Sequence, residues 1–265
     1  MTTPVHRHAR PLLRRLLAVL AVLAPATAAA DAPAASALAG SRQLVLVTTA
    51  GWDATQGTLH RYERDDDGAA WRQAGAFPVS IGRAGSAWGT GLHAAADAAD
   101  GPRKREGDGR SPAGIFALGT AFGYAAAADT RLPYAPMRQS HYCMDVPASP
   151  LYNTIVDADQ VGRDAVDGST EPMRLDLHDS GDPRYRLGFV IEHNAGNVPG
   201  DGSCIFAHLW RTPGETTAGC TAMEDADMRD LLAWLDPAAQ PRFVLLPEAQ
   251  YRRLAGPWTL PEAAR

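Results

Sequence analysis

Residues 202–223, GSCIFAHLWRTPGETTAGCTAM, decide the reading of the whole chain. The run 203–210 is apolar and predicts a strand that carries His208. Alternation places Cys204, Phe206, His208 and Trp210 on one face, with Ile205, Ala207 and Leu209 on the other. A loop of Pro, Gly and Thr, 211–217, leads to Ala218-Gly219-Cys220, after which a helix is expected. A short return from the strand end sets Cys220 beside the imidazole. The thiolate is the nucleophilic form of cysteine, and a paired His or a helix N-terminus stabilises it. Both are expected for Cys220. Gly219 leaves room beside the sulfur for a carbonyl to approach backbone N–H groups, including its own, that act as an oxyanion hole. Taken singly, such a cysteine is usually a small buried apolar residue and such a histidine a satisfied polar one. Their combination on one strand–loop unit points to cysteine–histidine chemistry.

His208, the run Thr217-Ala218-Gly219-Cys220 and the flanking apolar strand resemble the catalytic signature of the YkuD-type L,D-transpeptidases. These are cell-wall enzymes marked by a His, a spacer and Ser/Thr-His-Gly-Cys. The likeness is greatest to a branch with a Thr-x-Gly-Cys-x-Ala pattern. It extends to GDGRSPAGIFALG (107–119) and SCIFAHLW (203–210), and covers most of 42–253. The chain departs from the signature in a short spacer, in Ala218 where a second His would stand, and in Ala222 where many members carry Arg or Asn.

The resemblance implies a single mainly-β domain with minor α, sandwich- or barrel-like, over 42–253, followed by a C-terminal tail, 254–265. It implies an exported cysteine acyltransferase whose donor and acceptor are peptidoglycan stem peptides. Cys220 would attack the carbonyl between the L-centre of a meso-diamino acid and the terminal D-Ala. His208 would serve as general base and then acid, oriented by backbone carbonyls rather than by a third acidic residue. The thioester would pass to an amine of a second stem as an L,D cross-link. The departures keep other outcomes open. Hydrolysis of the same acyl-enzyme would make a carboxypeptidase or amidase; a structural Cys220 would leave a wall-binding module, and reversible thiol exchange a redox protein. Thr217, His193 and Lys104 are candidate substrate contacts, with Arg110 beside Lys104 as a second cation for a substrate carboxylate. For His193 a polar strand end, and for the two cations an exposed charge, are the alternatives.

Other chemistry finds little support. The chain has 25 basic and 30 acidic residues in 265, a net charge of −5, so nucleic-acid binding through phosphate neutralisation is not expected. His178, His193 and His208 fall fifteen residues apart, but no His-Glu-x-x-His or comparable ligand spacing accompanies them, so no metal is expected. There is no Gly-x-Ser-x-Gly and no dinucleotide fingerprint, so no cofactor is expected either.

At the N-terminus Arg7, Arg10, Arg14 and Arg15 precede a short apolar core, 16–23, and Ala-x-Ala sites. That pattern predicts a secretory signal peptide, 1–30, cleaved near Ala28–Ala30, followed by a linker, 31–41, and a mature chain in the periplasm or envelope. No later stretch is long enough to span a bilayer. In an oxidising compartment three cysteines suggest one pair and one free thiol. Giving Cys220 the free role leaves Cys143–Cys204 as the candidate disulfide; three unpaired buried cysteines are the alternative.

The remaining elements follow from pattern. Strands are expected at 43–48, 58–64, 70–77 with 78–82 as an extension, 113–118, 185–193 and 243–246, with a turn at 65–68. Met228, Leu231, Leu232 and Leu235 recur at helical spacing and predict the one firm helix, 224–235, ended by Pro237. Residues 120–182 read as a mostly irregular, substrate-facing cover.

Overall fold

Gln43–Thr49 (β1) begins a computed structural model that describes residues 1–3 and 37–262. The expected signal peptide and most of the linker lie outside the described residues. All the elements below belong to the unit Ala35–Arg265. The strands after β1 are β2 (Gln56–Glu63), β3 (Arg72–Ser80), β4 (Ser86–Trp88), β5 (Ser111–Gly123), β6 (Tyr134–Pro136), β7 (His141–Cys143), β8 (Ile155–Asp157) and β9 (Glu171–Pro172). They continue with β10 (Leu187–Ile191), β11 (Phe206–Leu209), β12 (Thr221–Met223) and β13 (Arg242–Pro247). The helices are α1 (Ala158–Val161), α2 (Leu175–His178), α3 (Asp225–Trp234) and α4 (Glu248–Leu254). No helix among the described residues is long and apolar enough to cross a membrane.

Eight strands run in the order β10–β11–β12–β3–β2–β1–β13–β5, and β5 pairs back with β10 to close them into a barrel. The fold is therefore mainly β with short helices, as expected. Leu44, Val45, Leu46 and Val47 of β1 are all buried, so the strand reads as a continuous apolar run rather than an alternating one. That is the signature of a strand covered on both faces. It pairs in parallel with β13 and antiparallel with β2, and α4 packs against both β1 and β13. Each of these aliphatic side chains contributes about 2 kcal/mol by leaving water.

The long β5 replaces the short strand expected at 113–118. It pairs with both β13 and β10, a role that spacing within 111–123 alone does not reveal. Helix α3 buries Met228, Leu231 and Leu232, and Asp225 and Asp227 sit in its first turn, where they favour the helix dipole.

Two corrections concern expected boundaries. The segment 120–182 is mostly turns and loops, as expected, though it also holds β6, α1, α2 and a separate three-stranded sheet, β8–β7–β9. Those strands are two or three residues long, too short for a periodic signal. The stretch after residue 253 is no loose tail, because Trp258 and Leu260 are buried in the core and Tyr251 Oη donates to the Pro261 carbonyl at 2.6 Å. Leu38, within the expected linker, is also fully buried.

Candidate active site

Strands β11 and β12 lie side by side in parallel, with Ala207 opposite Thr221 and His208 opposite Ala222. Parallel neighbours are about 4.8 Å apart. This pairing brings together two residues separated by a loop, and Cys220 and His208 line one cleft of about 200 Å³. The chain does not turn into a helix after Cys220, however. It enters β12, and α3 starts only at Asp225, so the thiol does not sit at the start of the helix that follows it. The apolar run ahead of His208 is also shorter than expected as a strand, since Cys204 adopts a left-handed backbone with φ 55°.

Cys220 is the free cysteine, and it is buried. Its sulfur accepts the Phe206 N–H at 3.3 Å and its S–H donates to the Cys204 carbonyl at 3.5 Å. Burial, reinforced by the Glu171 carboxylate, pushes the thiol up to about 12. The neutral thiol is therefore the resting form.

His208 Nδ1 lies 2.8 Å from the Leu209 carbonyl oxygen. A carbonyl only accepts, so Nδ1 carries the proton and Nε2 presents its lone pair. Burial holds the imidazole down to about 4, opposed by the same carbonyl. His208 is thus a neutral base with a fixed tautomer at physiological pH. Tyr185 packs edge-on against its ring, 5.3 Å between centroids.

The loop before Cys220 is braced by hydroxyls. Thr217 Oγ1 donates to the Cys220 carbonyl at 2.7 Å and accepts the Gly219 N–H at 3.1 Å. Ser111 Oγ donates to the same carbonyl at 2.9 Å. The Thr217 backbone is held on both sides, its N–H donating to Ile81 O and its carbonyl accepting from Arg83 N–H. Thr217 is thus a buried brace at the cleft edge. The Gly219 N–H expected in the oxyanion hole is engaged by Thr217, and meets an oxyanion only by exchanging that bond. A Cβ at Gly219 would come within 3.0 Å of the Arg110 carbonyl oxygen and 3.3 Å of Ile205 Cδ1, which accounts for glycine there.

The other expected contacts divide. Lys104 lines the cleft but is buried, with Nζ donating to Asp108 Oδ1 at 2.6 Å and to the Arg105 carbonyl at 2.7 Å. Its charge is already compensated. Arg110 is a structural cross-brace, bonded to Trp52 O, Ser86 O and Asp53. His193 stands outside the cleft lining: it is buried against Phe116, its Nε2 meets the Asp201 carbonyl at 2.9 Å, and burial lowers it to about 4. The strand end that carries it turns into the core rather than toward the thiol.

Cys143 and Cys204 form a disulfide with Cα atoms 5.9 Å apart. It ties the three-stranded sheet to the backbone that faces Cys220. Asn153 adds a second tie, its Oδ1 accepting the Cys204 N–H at 2.9 Å and its Nδ2 donating to the His193 and Asn194 carbonyls. Through these ties Glu171, paired opposite Cys143 on β7, joins the cleft lining.

Ser111, Tyr185, Glu171 and Asn153 escape a reading of the sequence as site residues. Each belongs to an element whose approach to Cys220 depends on barrel closure or on the disulfide. Ser111 had a partial signal, since it opens the SPAGIF run that resembles the family pattern.

Residues 53–244 match the profile of the family described as YkuD, L,D-transpeptidase catalytic domain. No curated protein matches the chain significantly. Among solved structures, that of Bdellovibrio bacteriovorus Bd1075 is distantly similar, at 14% identity and a TM-score of 0.37, covering 78% of this chain and 48% of that one. The chain thus spans about half the length of that structure.

Proposed function

The chain belongs to the YkuD family of L,D-transpeptidase catalytic domains, and from that premise we propose that it is an exported cysteine acyltransferase acting on peptidoglycan stem peptides. The observation that supports this is the fixed tautomer of His208, whose Nδ1–H is committed to the Leu209 carbonyl while Nε2 remains a base in the cleft that holds the free thiol.

The acylation step follows from these groups. A substrate carbonyl entering the cleft displaces the weak S–H contact to Cys204. The proton passes from sulfur to His208 Nε2 as the sulfur attacks the carbonyl carbon. Backbone N–H groups at Gly219 and Cys220 take the oxyanion, with Thr217 relinquishing the Gly219 N–H. His208 then protonates the leaving D-Ala amine, and a thioester remains on Cys220. The amine of a second stem resolves the thioester as an L,D cross-link.

The test uses purified residues 31–265 with a disaccharide-tetrapeptide and mass spectrometry of products and intact protein. D-Ala release with stem dimers, both lost in Cys220→Ala, is the expected result. D-Ala release without dimers at any stem concentration would make the protein a hydrolase. No product and no adduct on Cys220 would overturn the catalytic reading for this substrate.

A further inference from the structure

Glu171 is a carboxylate in the candidate active cleft that the acylation chemistry leaves unused. It lies on the two-residue strand β9, carried there by the sheet that the disulfide anchors. Its Oε1 accepts a hydrogen bond from Tyr185 Oη, and the Tyr185 ring in turn packs against His208. Its Oε2 makes no hydrogen bond to another described residue, and the side chain is only partly buried among the cleft-lining groups. Its charge is felt at the sulfur, where it is the second cause of the raised thiol after burial.

The charge balance of the cleft gives this carboxylate a role. Three of its cations are compensated, Lys104 by Asp108 at 2.6 Å, Arg184 by Asp182 at 2.6 Å, and Arg211 by Glu215, while Arg83 at the cleft edge forms no ion pair among the described residues. The carboxylates Glu106, Asp145 and Glu171 are different. They accept from neutral donors (Tyr152 and Ser203, Thr170, and Tyr185) and form no ion pair among the described residues. A second substrate with a positive charge therefore finds, in Glu171, a carboxylate without an ion-pair partner in the cleft that holds the acyl-sulfur bond.

We propose that Glu171 receives the acceptor ammonium of the transfer step, orienting it toward the thioester on Cys220 and taking up its surplus proton. This rests on the acyl-transfer reading above. An aliphatic amine arrives as R–NH3⁺ and has no lone pair until one proton leaves. Glu171 accepts that proton and becomes a carboxylic acid. The amine lone pair forms the C–N bond as the C–S bond breaks, the sulfur leaving with the electron pair. The second amine proton passes through His208 to the sulfur, restoring the neutral thiol, and Glu171 returns its proton to solvent. Desolvation in the cleft, opposed by the Tyr185 hydrogen bond and by Arg184 and reinforced by Asp145 and Glu106, raises the Glu171 carboxyl to about 7, which suits a group that must both take and release a proton near neutrality.

The experiment compares wild type, Glu171→Gln and Glu171→Asp on the disaccharide-tetrapeptide at pH 7, with and without hydroxylamine, a nucleophile that is uncharged at this pH. Stem dimers report the charged acceptor, hydroxamate the uncharged one and tripeptide hydrolysis. The expected result for Glu171→Gln is a fall of about tenfold or more in the dimer-to-tripeptide ratio, with the hydroxamate-to-tripeptide ratio unchanged. Glu171→Asp, which keeps the charge, retains most dimer formation. Equal loss of dimer and hydroxamate, no loss of dimer, or a Glu171→Asp variant as poor as Glu171→Gln would each overturn the assignment. Wild type that releases D-Ala but makes no dimers overturns this inference together with the transfer step, and leaves the Cys220 acylation chemistry standing. Wild type that releases no D-Ala overturns the proposed function together with it.

Discussion

The S–H of Cys220 donates to the carbonyl oxygen of Cys204 at 3.5 Å, so the free thiol rests against the backbone of a disulfide-bonded residue. The disulfide closes a separation of 61 residues and fixes that carbonyl together with the sheet bearing Glu171. Stability and site geometry are thereby linked through one covalent bond.

Removing that bond has a cost that can be measured. A loop of this length corresponds to about 4 kcal/mol of unfolded-state entropy. For a domain of this size that is a drop of roughly 10 °C in Tm. Thermal unfolding of the Cys143→Ala, Cys204→Ala double variant, or of wild type with reductant, should show it. An unchanged Tm in both would mean that the cross-link contributes nothing to stability.

Alkylation reports the state of the thiol. With Cys143 and Cys204 bonded to each other, iodoacetamide labels Cys220 alone. The thiol is raised to about 12 by burial and by Glu171. Labelling should be slow at pH 7 and rise about tenfold per pH unit up to pH 10 without a plateau. A plateau near pH 8 would show that the buried thiol is already ionised at an ordinary pH.

Acid should destabilise the fold between pH 6.5 and 4. His208 and His193 are lowered to about 4 by burial, so in this window the unfolded chain binds the proton and the folded chain does not. Each histidine contributes stability that is complete above pH 6.5 and is lost as the pH falls, roughly 3 kcal/mol apiece. Glu171 acts with the opposite sign. Its carboxyl is raised to about 7, so the folded chain holds that proton more tightly and gains stability as the pH falls from about 7 to 4.5. Over these three groups the net loss is roughly 3 kcal/mol, and the lowered His60, His93 and His141 act in the same direction as the two histidines, with the raised Glu192 opposing them. Urea unfolding from pH 7 to pH 4 should record it. Glu171→Gln should steepen the loss, and a wild-type stability that rises on acidification would contradict it.

Thr217 can be tested as a brace. Valine in its place removes the donor to Cys220 O and leaves the Gly219 N–H without its acceptor, both in a buried setting. The expected cost is about 1–3 kcal/mol in urea unfolding. Thr217→Ser keeps the hydroxyl and should stay near wild type. Equal behaviour of the two variants would show that the methyl group, and not the hydrogen bonds, matters.

Local pattern made several features legible. The apolar run of β1, the amphipathic spacing of α3 and the return strand β3 are properties of neighbouring residues, and hydrophobic periodicity records them. The strands between 120 and 182 are too short to show a period, and their order comes from β7–β9 pairing and the disulfide. His193 looked like a cleft residue because it ends a strand next in sequence to β11; barrel curvature turns it against Phe116 instead.

By itself, the sequence determined that a cysteine and a histidine stand on one strand–loop unit, because a short loop limits how far Cys220 can stray from His208. Only the tertiary structure decided the rest: that β12 rather than a helix follows Cys220, that Thr217 and Ser111 hold its carbonyl, and that Glu171 and Tyr185 reach the same cleft. Those relationships join residues far apart in the chain, from Ser111 to Cys220 and from Cys143 to Cys204. They exist only where strand pairing, barrel closure and a cross-link bring them within bonding distance.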